Sequence, residues 1–147
     1  MVELLTYSLE FRGDVSRNGN VVVVRAYAPS CTHETRLGGD GIAARFLFDD
    51  GAEEAILEAR LLFNGDVAFS VNATIDFGHG HRLYAQTADE GSIAGSADEH
   101  LSHGSAVLHV VGGTGQFEGA TGRVTCNFVL SDTGEFTDVQ IGMLFLT

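Results

Sequence analysis

Among the residues that could do chemistry, Glu10 has the most informative position. It ends a segment that alternates with a period of two, and one face of this segment is small or apolar apart from the acid. That face consists of Leu4, Thr6, Ser8 and Glu10. If it lines an apolar cavity, the Glu10 carboxyl is suited to proton transfer or to stabilising a developing cation. If it faces water, Glu10 is an ordinary surface acid.

Four further polar side chains are candidates for holding a bound molecule by hydrogen bonds. They are Arg12, Tyr84, Asn127 and Gln140. Asn127 illustrates the choice, because it alternates with apolar neighbours as a residue of a half-buried strand does. Its face is either solvated or directed into the lumen of a barrel. We predict that these four side chains orient a small hydrophobic molecule and that Glu10 is the catalytic group.

The six histidines raise the question of a metal site, because imidazole is the commonest metal ligand in proteins. The spacing His79-x-His81 would align two rings on one face of a strand. A cupin-type site would also need a glutamate slightly further on, where the chain has Ala85 and Gln86. We therefore predict no metal and no cofactor, with a histidine-dependent metal barrel enzyme as the weaker alternative.

Cysteine and serine chemistry has less support in the sequence. Cys31 and Cys126 form no C-x-x-C pair and are predicted to be free thiols. The N-terminal residues lack the basic region of a secretory signal, which favours a cytoplasmic location where thiols stay reduced. A nucleophilic cysteine needs a neighbouring base, and the chain has no G-x-S-x-G turn of the hydrolase kind.

Charge excludes several classes of protein. Twenty acidic residues face eight basic ones, all arginine, so the net charge is -12 and the surrounding potential repels phosphate backbones. Nucleic acid and anionic membranes are therefore not expected as partners. The absence of lysine excludes Schiff-base chemistry and a P-loop. No apolar run approaches the roughly 20 residues of a membrane-spanning helix.

The elements that must position these residues are strands. The 147 residues fit one domain, predicted as 1–147, and 19 glycines punctuate short runs that alternate with a period of two. Residues 53–63 also have the composition of a helix, although their length fits a strand. The predicted strands are Leu4–Arg12, Val21–Tyr27, Ile42–Phe48, Ala55–Phe63, Val67–Phe77, Leu83–Thr87, Ala106–Val111, Val124–Leu130 and Phe136–Leu146. Such a series predicts an all-β sandwich or a closed barrel.

Two patches of the chain carry a resemblance to a known family. Residues 110–124 hold five glycines within eleven residues between two apolar strands, which allows positive φ and close backbone approach and indicates a structural corner. This segment resembles the GGxGxFxGAxG turn of allene oxide cyclase barrels and, more loosely, the GGTGxF turn of dirigent proteins. Residues 77–86 resemble the FGxxGHLxxQ hairpin that precedes that turn in plant allene oxide cyclases.

The resemblance implies an eight-stranded antiparallel barrel of calycin type with a central apolar cavity. It also implies a homotrimer that steers a reactive intermediate into one product, as in secondary metabolism. In the cyclases a glutamate on the first strand lies at the pocket, and Glu10 matches it, whereas Arg12 replaces the asparagine that follows two residues later. We therefore expect Glu10 inside the barrel of a cofactor-independent cyclase or isomerase. The alternative is a barrel that binds a hydrophobic ligand without transforming it.

Overall fold

The chain folds into strands almost throughout, as the alternating sequence predicts. The computed structural model describes residues 1–49, 51 and 53–147. Its strands in chain order are β1 (Glu3–Asn18), β2 (Val21–Pro29), β3 (Cys31–Gly38), β4 (Gly41–Phe48), β5 (Glu54–Asn64), β6 (Ala68–Asp76), β7 (Arg82–Thr87), β8 (Gly91–Gly95), β9 (Leu101–Thr114), β10 (Thr121–Ser131) and β11 (Glu135–Leu146). A 3-10 turn spans Gly115–Phe117. The all-β prediction is confirmed.

Nine of these strands close into a barrel. The order around the wall is β1, β2, β5, β6, β7, β9, β10 and β11, and β11 pairs with β1 to complete the circle. The short strand β8 continues the position of β7, because both pair with β6 and with β9. The wall therefore has eight antiparallel positions, which confirms the predicted eight-stranded barrel. Closure removes the free sheet edges that an open sheet would expose.

The inward side chains make a packed core. On β1 the inward residues are odd-numbered and include Phe11, which is fully buried; on β11 they are even-numbered and include Leu144. Several inward glycines make room for aromatic rings. A Cβ at Gly142 would lie 2.3 Å from Tyr7 Cε2, and one at Gly104 would lie 2.4 Å from Phe128 Cζ.

The predicted strands agree with the structure in place, and most are longer than predicted. Residues 53–63, whose composition also suited a helix, form β5, because their alternate residues Leu57, Ala59 and Leu61 are buried in the barrel. Two observed strands, β3 and β8, have no predicted counterpart. β3 carries polar residues on both of its faces, and β8 has only five residues, so neither strand shows a hydrophobic period. The glycine-rich residues 112–122 form the predicted corner, from the end of β9 through the 3-10 turn into β10.

The β3–β4 hairpin lies outside the barrel wall and forms a two-stranded sheet of its own. One face is apolar: the His33 and Phe46 rings stack at 4.2 Å between centroids, and Leu37 and Ile42 follow towards the tip. The base of the hairpin covers β1, where the Cys31 thiol donates a hydrogen bond to the Ser8 carbonyl at 3.6 Å. The tip has little cover, because Leu37 is 82% and Ile42 is 72% exposed.

Helix contributes almost nothing to this architecture. In the part of the chain that the structure describes, no helix has the length and apolar character needed to cross a membrane.

Candidate functional site

The barrel interior contains a chain of polar side chains among the apolar ones. The Tyr7 hydroxyl donates a hydrogen bond to Gln140 Oε1 at 3.2 Å, and Gln140 Nε2 donates to Asp138 Oδ2 at 3.1 Å. Gln140 and Asp138 are inward residues of β11 and are 0% and 1% exposed. Buried polar groups are tolerated where they form hydrogen bonds with one another, and these three side chains do so with one exception. Asp138 Oδ1 is buried and accepts no well-formed hydrogen bond.

Burial controls the protonation of these groups. The pKa of the Asp138 carboxyl is raised from 3.8 to about 7, mainly by burial; donors from Gln140, from the Asn127 backbone and from the Cys126 thiol partly offset the rise. The pKa of the Tyr7 hydroxyl is raised by burial first and by Cys126 and Asp138 second. The pKa of the Cys126 thiol is raised well above its ordinary value, again mainly by burial. Asp138 is thus the interior group that titrates near neutral pH.

Asp138 lines a small central cavity. The cavity has a volume of about 30 Å³, and its wall is apolar except for Asp138, Gln140 and the Cys126 thiol. That volume holds one or two water molecules, whereas pockets for small-molecule ligands measure roughly 300–1,000 Å³. The predicted apolar cavity is present, but in this conformation it is too small for a hydrophobic substrate.

A larger pocket opens at one mouth of the barrel. Its volume is about 440 Å³, and its floor consists of inward apolar side chains of β2, β5, β10 and β11. Four of these belong to both the mouth and the central cavity, so they form the partition between them. They are Val24, Leu61, Phe128 and Phe136. The mouth therefore has the size and character of a ligand pocket, and the Asp138 cavity lies directly beneath it.

The rim of the mouth carries one cation and one anion. The Arg17 guanidinium lies over the Phe63 ring, 5.5 Å from the ring centroid, and its Nε donates to the Gly19 carbonyl at 3.2 Å. Asp66 lies on the same rim. Because both charges sit at the entrance and only Asp138 lies within, the interior offers an acid without a converging arginine.

The expected placement of Glu10 inside the barrel is wrong. Its neighbours Leu9 and Phe11 pair with Gln140 and Asp138, which line the cavity, so Glu10 points to the outer side of the wall. It is only 9% exposed because the β3–β4 hairpin covers this part of β1. There Glu10 Oε1 accepts a hydrogen bond and ion pair from Arg12 at 3.0 Å.

Of the other four predicted ligand-binding residues, only Gln140 faces the lumen. Arg12 lies on the outer face with Glu10, and its guanidinium also lies 5.7 Å from the centroid of the Phe48 ring. Tyr84 lines an open groove of about 540 Å³ on the outer wall. Asn127 lines a separate outer depression. The expected grouping of these side chains around one molecule is therefore wrong, because strand alternation sends three of the four outwards.

Three of the histidines each form a hydrogen bond with a different partner. His79 Nε2 lies 2.7 Å from Glu53 Oε1, and the Gln116 backbone N–H donates to His81 Nδ1 at 2.9 Å. His100 Nδ1 lies 2.9 Å from Asp132 Oδ2. Within residues 1–49, 51 and 53–147, no three His, Cys, Asp or Glu side chains come together as a metal centre would require. Cys31 and Cys126 are both free thiols.

The inward side chains of Tyr7, Cys126, Asp138 and Gln140 form an interior polar cluster. Sequence reasoning missed three of its members, Tyr7, Cys126 and Asp138. Tyr7 belongs to the more apolar face of β1, which was the better guide to the inside of the barrel. For Asp138 the available signal was its position between Phe136 and Gln140 on one alternating face. That signal is weak, because the opposite face of β11 carries Val139 and Ile141 and is equally apolar.

Comparison with known proteins supplies no external support for a family. No protein-family model matches the chain, and neither a curated protein nor a solved structure is significantly similar to it. Membership of the allene oxide cyclase family therefore stays a prediction that rests on residues 77–86 and 110–124.

Proposed function

We propose that the protein binds a small hydrophobic molecule in the mouth of its barrel. The observation that carries the proposal is the mouth pocket of about 440 Å³, whose floor is made by inward apolar side chains. A preformed concave apolar pocket of this size is typical of small-molecule sites. Packing a ligand there would also cover core side chains of the barrel that water now reaches, including half-buried Ile93 and Leu130.

The competing site is the outer groove that contains Tyr84. It is larger, at about 540 Å³, but it is open and is lined by charged and polar side chains such as Glu58, Arg60 and Asn72. Desolvating those groups offsets the gain from burying a hydrophobic molecule. The mouth also exposes polar side chains, among them Arg17 and Asp66, so what favours it for an apolar ligand is its floor, which is the apolar core of the barrel.

Fluorescence titration with N-phenyl-1-naphthylamine, a neutral apolar probe, tests this proposal. Leu130→Gln puts an amide into the mouth, and we expect it to weaken binding about tenfold or more. Val129→Gln is the matched control, since Val129 is the next residue on β10 and points outwards; we expect unchanged affinity. Ile93→Gln provides a second mouth variant, and circular dichroism checks that each variant folds.

Two outcomes contradict the proposal. One is the absence of saturable probe binding to the wild type. The other is loss of binding in Tyr84→Ala with full binding in Leu130→Gln and Ile93→Gln, which would assign the ligand to the outer groove.

An isomerase or cyclase is the second candidate function, and one observation favours it. Asp138, with a pKa raised to about 7 by burial, is a carboxyl able to take and return a proton near neutral pH, beneath the proposed ligand pocket. In such a step the carboxylate would remove a proton from a C–H next to a carbonyl and return it to another carbon. Deuterium exchange from D₂O into the C–H groups next to the carbonyl of octan-2-one tests this. We expect the wild type to accelerate exchange and Asp138→Asn not to; equal rates would contradict it.

A further inference from the structure

The interior polar cluster limits what the polar end of a bound molecule can be. Two donors of the cluster already have acceptors within it, since the Tyr7 hydroxyl donates to Gln140 and the Gln140 amide donates to Asp138. The Cys126 thiol and the Asn127 backbone N–H also approach the Asp138 carboxyl. The acceptor left over is Asp138 Oδ1, which is buried and has no well-formed hydrogen bond. An unsatisfied buried acceptor costs free energy, so a donor that reaches it is favoured.

The distance from the mouth to this acceptor is short. Phe136 belongs to the partition beneath the mouth, and Asp138 is the next inward residue on the same strand. Two residues of an antiparallel strand span about 7 Å, which is roughly the length of an extended chain of six or seven carbon atoms. The partition consists of four apolar side chains and no polar one. The part of a ligand that lies between these side chains must therefore be apolar, because a polar group there would be buried without a partner.

Charge selects between the possible polar ends. A carboxylate would place a second negative charge beside Asp138, and no arginine or histidine lines the central cavity to compensate it. The rim cation Arg17 lies at the entrance and not at the depth of Asp138. A hydroxyl group, in contrast, is neutral and supplies the donor that Asp138 Oδ1 lacks.

We propose that the ligand is an apolar molecule with a slender chain that ends in a hydroxyl group, and that this hydroxyl donates its hydrogen bond to Asp138 Oδ1 in the central cavity. The inference rests on the ligand site proposed at the mouth. It adds which chemical group ends the ligand and how the ligand is oriented. The larger apolar part lies in the mouth, and the hydroxyl group points inwards.

Two isomers that differ in the donor test this proposal. Octan-1-ol and 1-methoxyheptane have the same atoms, but only the alcohol can donate a hydrogen bond. Each is used to displace N-phenyl-1-naphthylamine from the wild-type protein at pH 8, where the Asp138 carboxyl, with a pKa of about 7, is ionised. We expect the alcohol to displace the probe at a concentration about tenfold lower, because hydrogen bonds to charged groups are the stronger ones. This comparison requires no variant.

Asp138→Leu then identifies the acceptor. It replaces the carboxylate with an apolar group of similar size, and we expect the preference for the alcohol to disappear. Glu135→Gln is the control, since it removes an exposed acid from the same strand and should leave the preference intact. Equal displacement by the two isomers in the wild type overturns the inference while the mouth site stands. A preference that survives in Asp138→Leu overturns it as well. If the probe does not bind at all, both the mouth site and this inference fail.

Discussion

The barrel wall and the β3–β4 hairpin each have an apolar face, yet only the wall buries it. In the wall, Phe69 on β6 is fully buried and packs against Phe63 and Phe128, with ring centroids 5.3 and 5.8 Å apart. In the hairpin, Leu37 and Ile42 stay largely exposed. Alternation creates an apolar face, but closure of the sheet is what removes that face from water.

The two regions also differ in charge. The hairpin, residues 31–48, carries two acids and two arginines, and Glu34 pairs with both Arg36 and Arg45 on its polar face. The net charge of -12 therefore resides entirely outside the hairpin. The predicted homotrimer stays a prediction. If subunits associate, we expect the contact at the exposed apolar face of this neutral hairpin.

The largest expected effect contrasts a wall residue with a hairpin residue. Phe69→Ala should lower the free energy of unfolding by about 3–5 kcal/mol, because it leaves a cavity among packed rings. Ile42→Ala should change it by no more than about 0.5 kcal/mol, because Ile42 is already exposed. Urea unfolding followed by circular dichroism measures both. A cost for Ile42→Ala comparable to that of Phe69→Ala would break the contrast, and sedimentation of the wild type would then show whether a second copy covers the hairpin.

A smaller effect is expected from the ionisation of Asp138. Its carboxyl loses a proton near pH 3.8 when unfolded but only near pH 7 when folded, since its pKa is raised by burial. Between these values the folded state holds more protons, so the contribution of Asp138 to the free energy of unfolding falls as pH rises. Asparagine does not titrate, so Asp138→Asn avoids this loss. Between pH 4 and pH 8 its free energy of unfolding should rise by about 2–4 kcal/mol relative to that of the wild type.

Urea unfolding of both proteins across this pH range measures the difference. Glu135→Gln removes an exposed acid from the same strand and should follow the wild-type profile. A difference between Asp138→Asn and the wild type that stays constant with pH would mean that the Asp138 carboxyl is not desolvated.

The smallest of the expected effects compares two glycines. Gly142→Ala should cost about 1–3 kcal/mol, because its Cβ would overlap the Tyr7 ring inside the barrel. Gly38→Ala at the tip of the hairpin should be within about 0.5 kcal/mol of the wild type, because a Cβ there meets no atom within 4 Å. Thermal unfolding of the two variants tests the pair. A neutral Gly142→Ala would show that the ring of Tyr7 has room to move, and that the wall is less tightly packed than the structure indicates.

The candidate site was harder to predict than the fold. Strand positions follow from alternation within single segments, and even the ambiguous residues 53–63 form a strand. The site depends on which face of a strand points inwards. Gln140 lies in the lumen, whereas Glu10 and Tyr84 do not. Both faces of β1 carry apolar residues, and Tyr84 belongs to the polar, outward face of β7 with Arg82 and Gln86. β3 escaped prediction because its polar residues show no hydrophobic period.

Local patterns in the amino-acid sequence are enough to predict short antiparallel strands and a glycine-rich corner, because a period of two and turn residues act locally. The meeting of Tyr7, Asp138 and Gln140 inside the barrel, and the position of Glu10 beneath the hairpin, become visible only in the folded protein. The period of two requires neighbouring side chains to point to opposite sides of a strand. Which side becomes the interior depends on how distant strands pair when the sheet closes, and no local pattern carries that information.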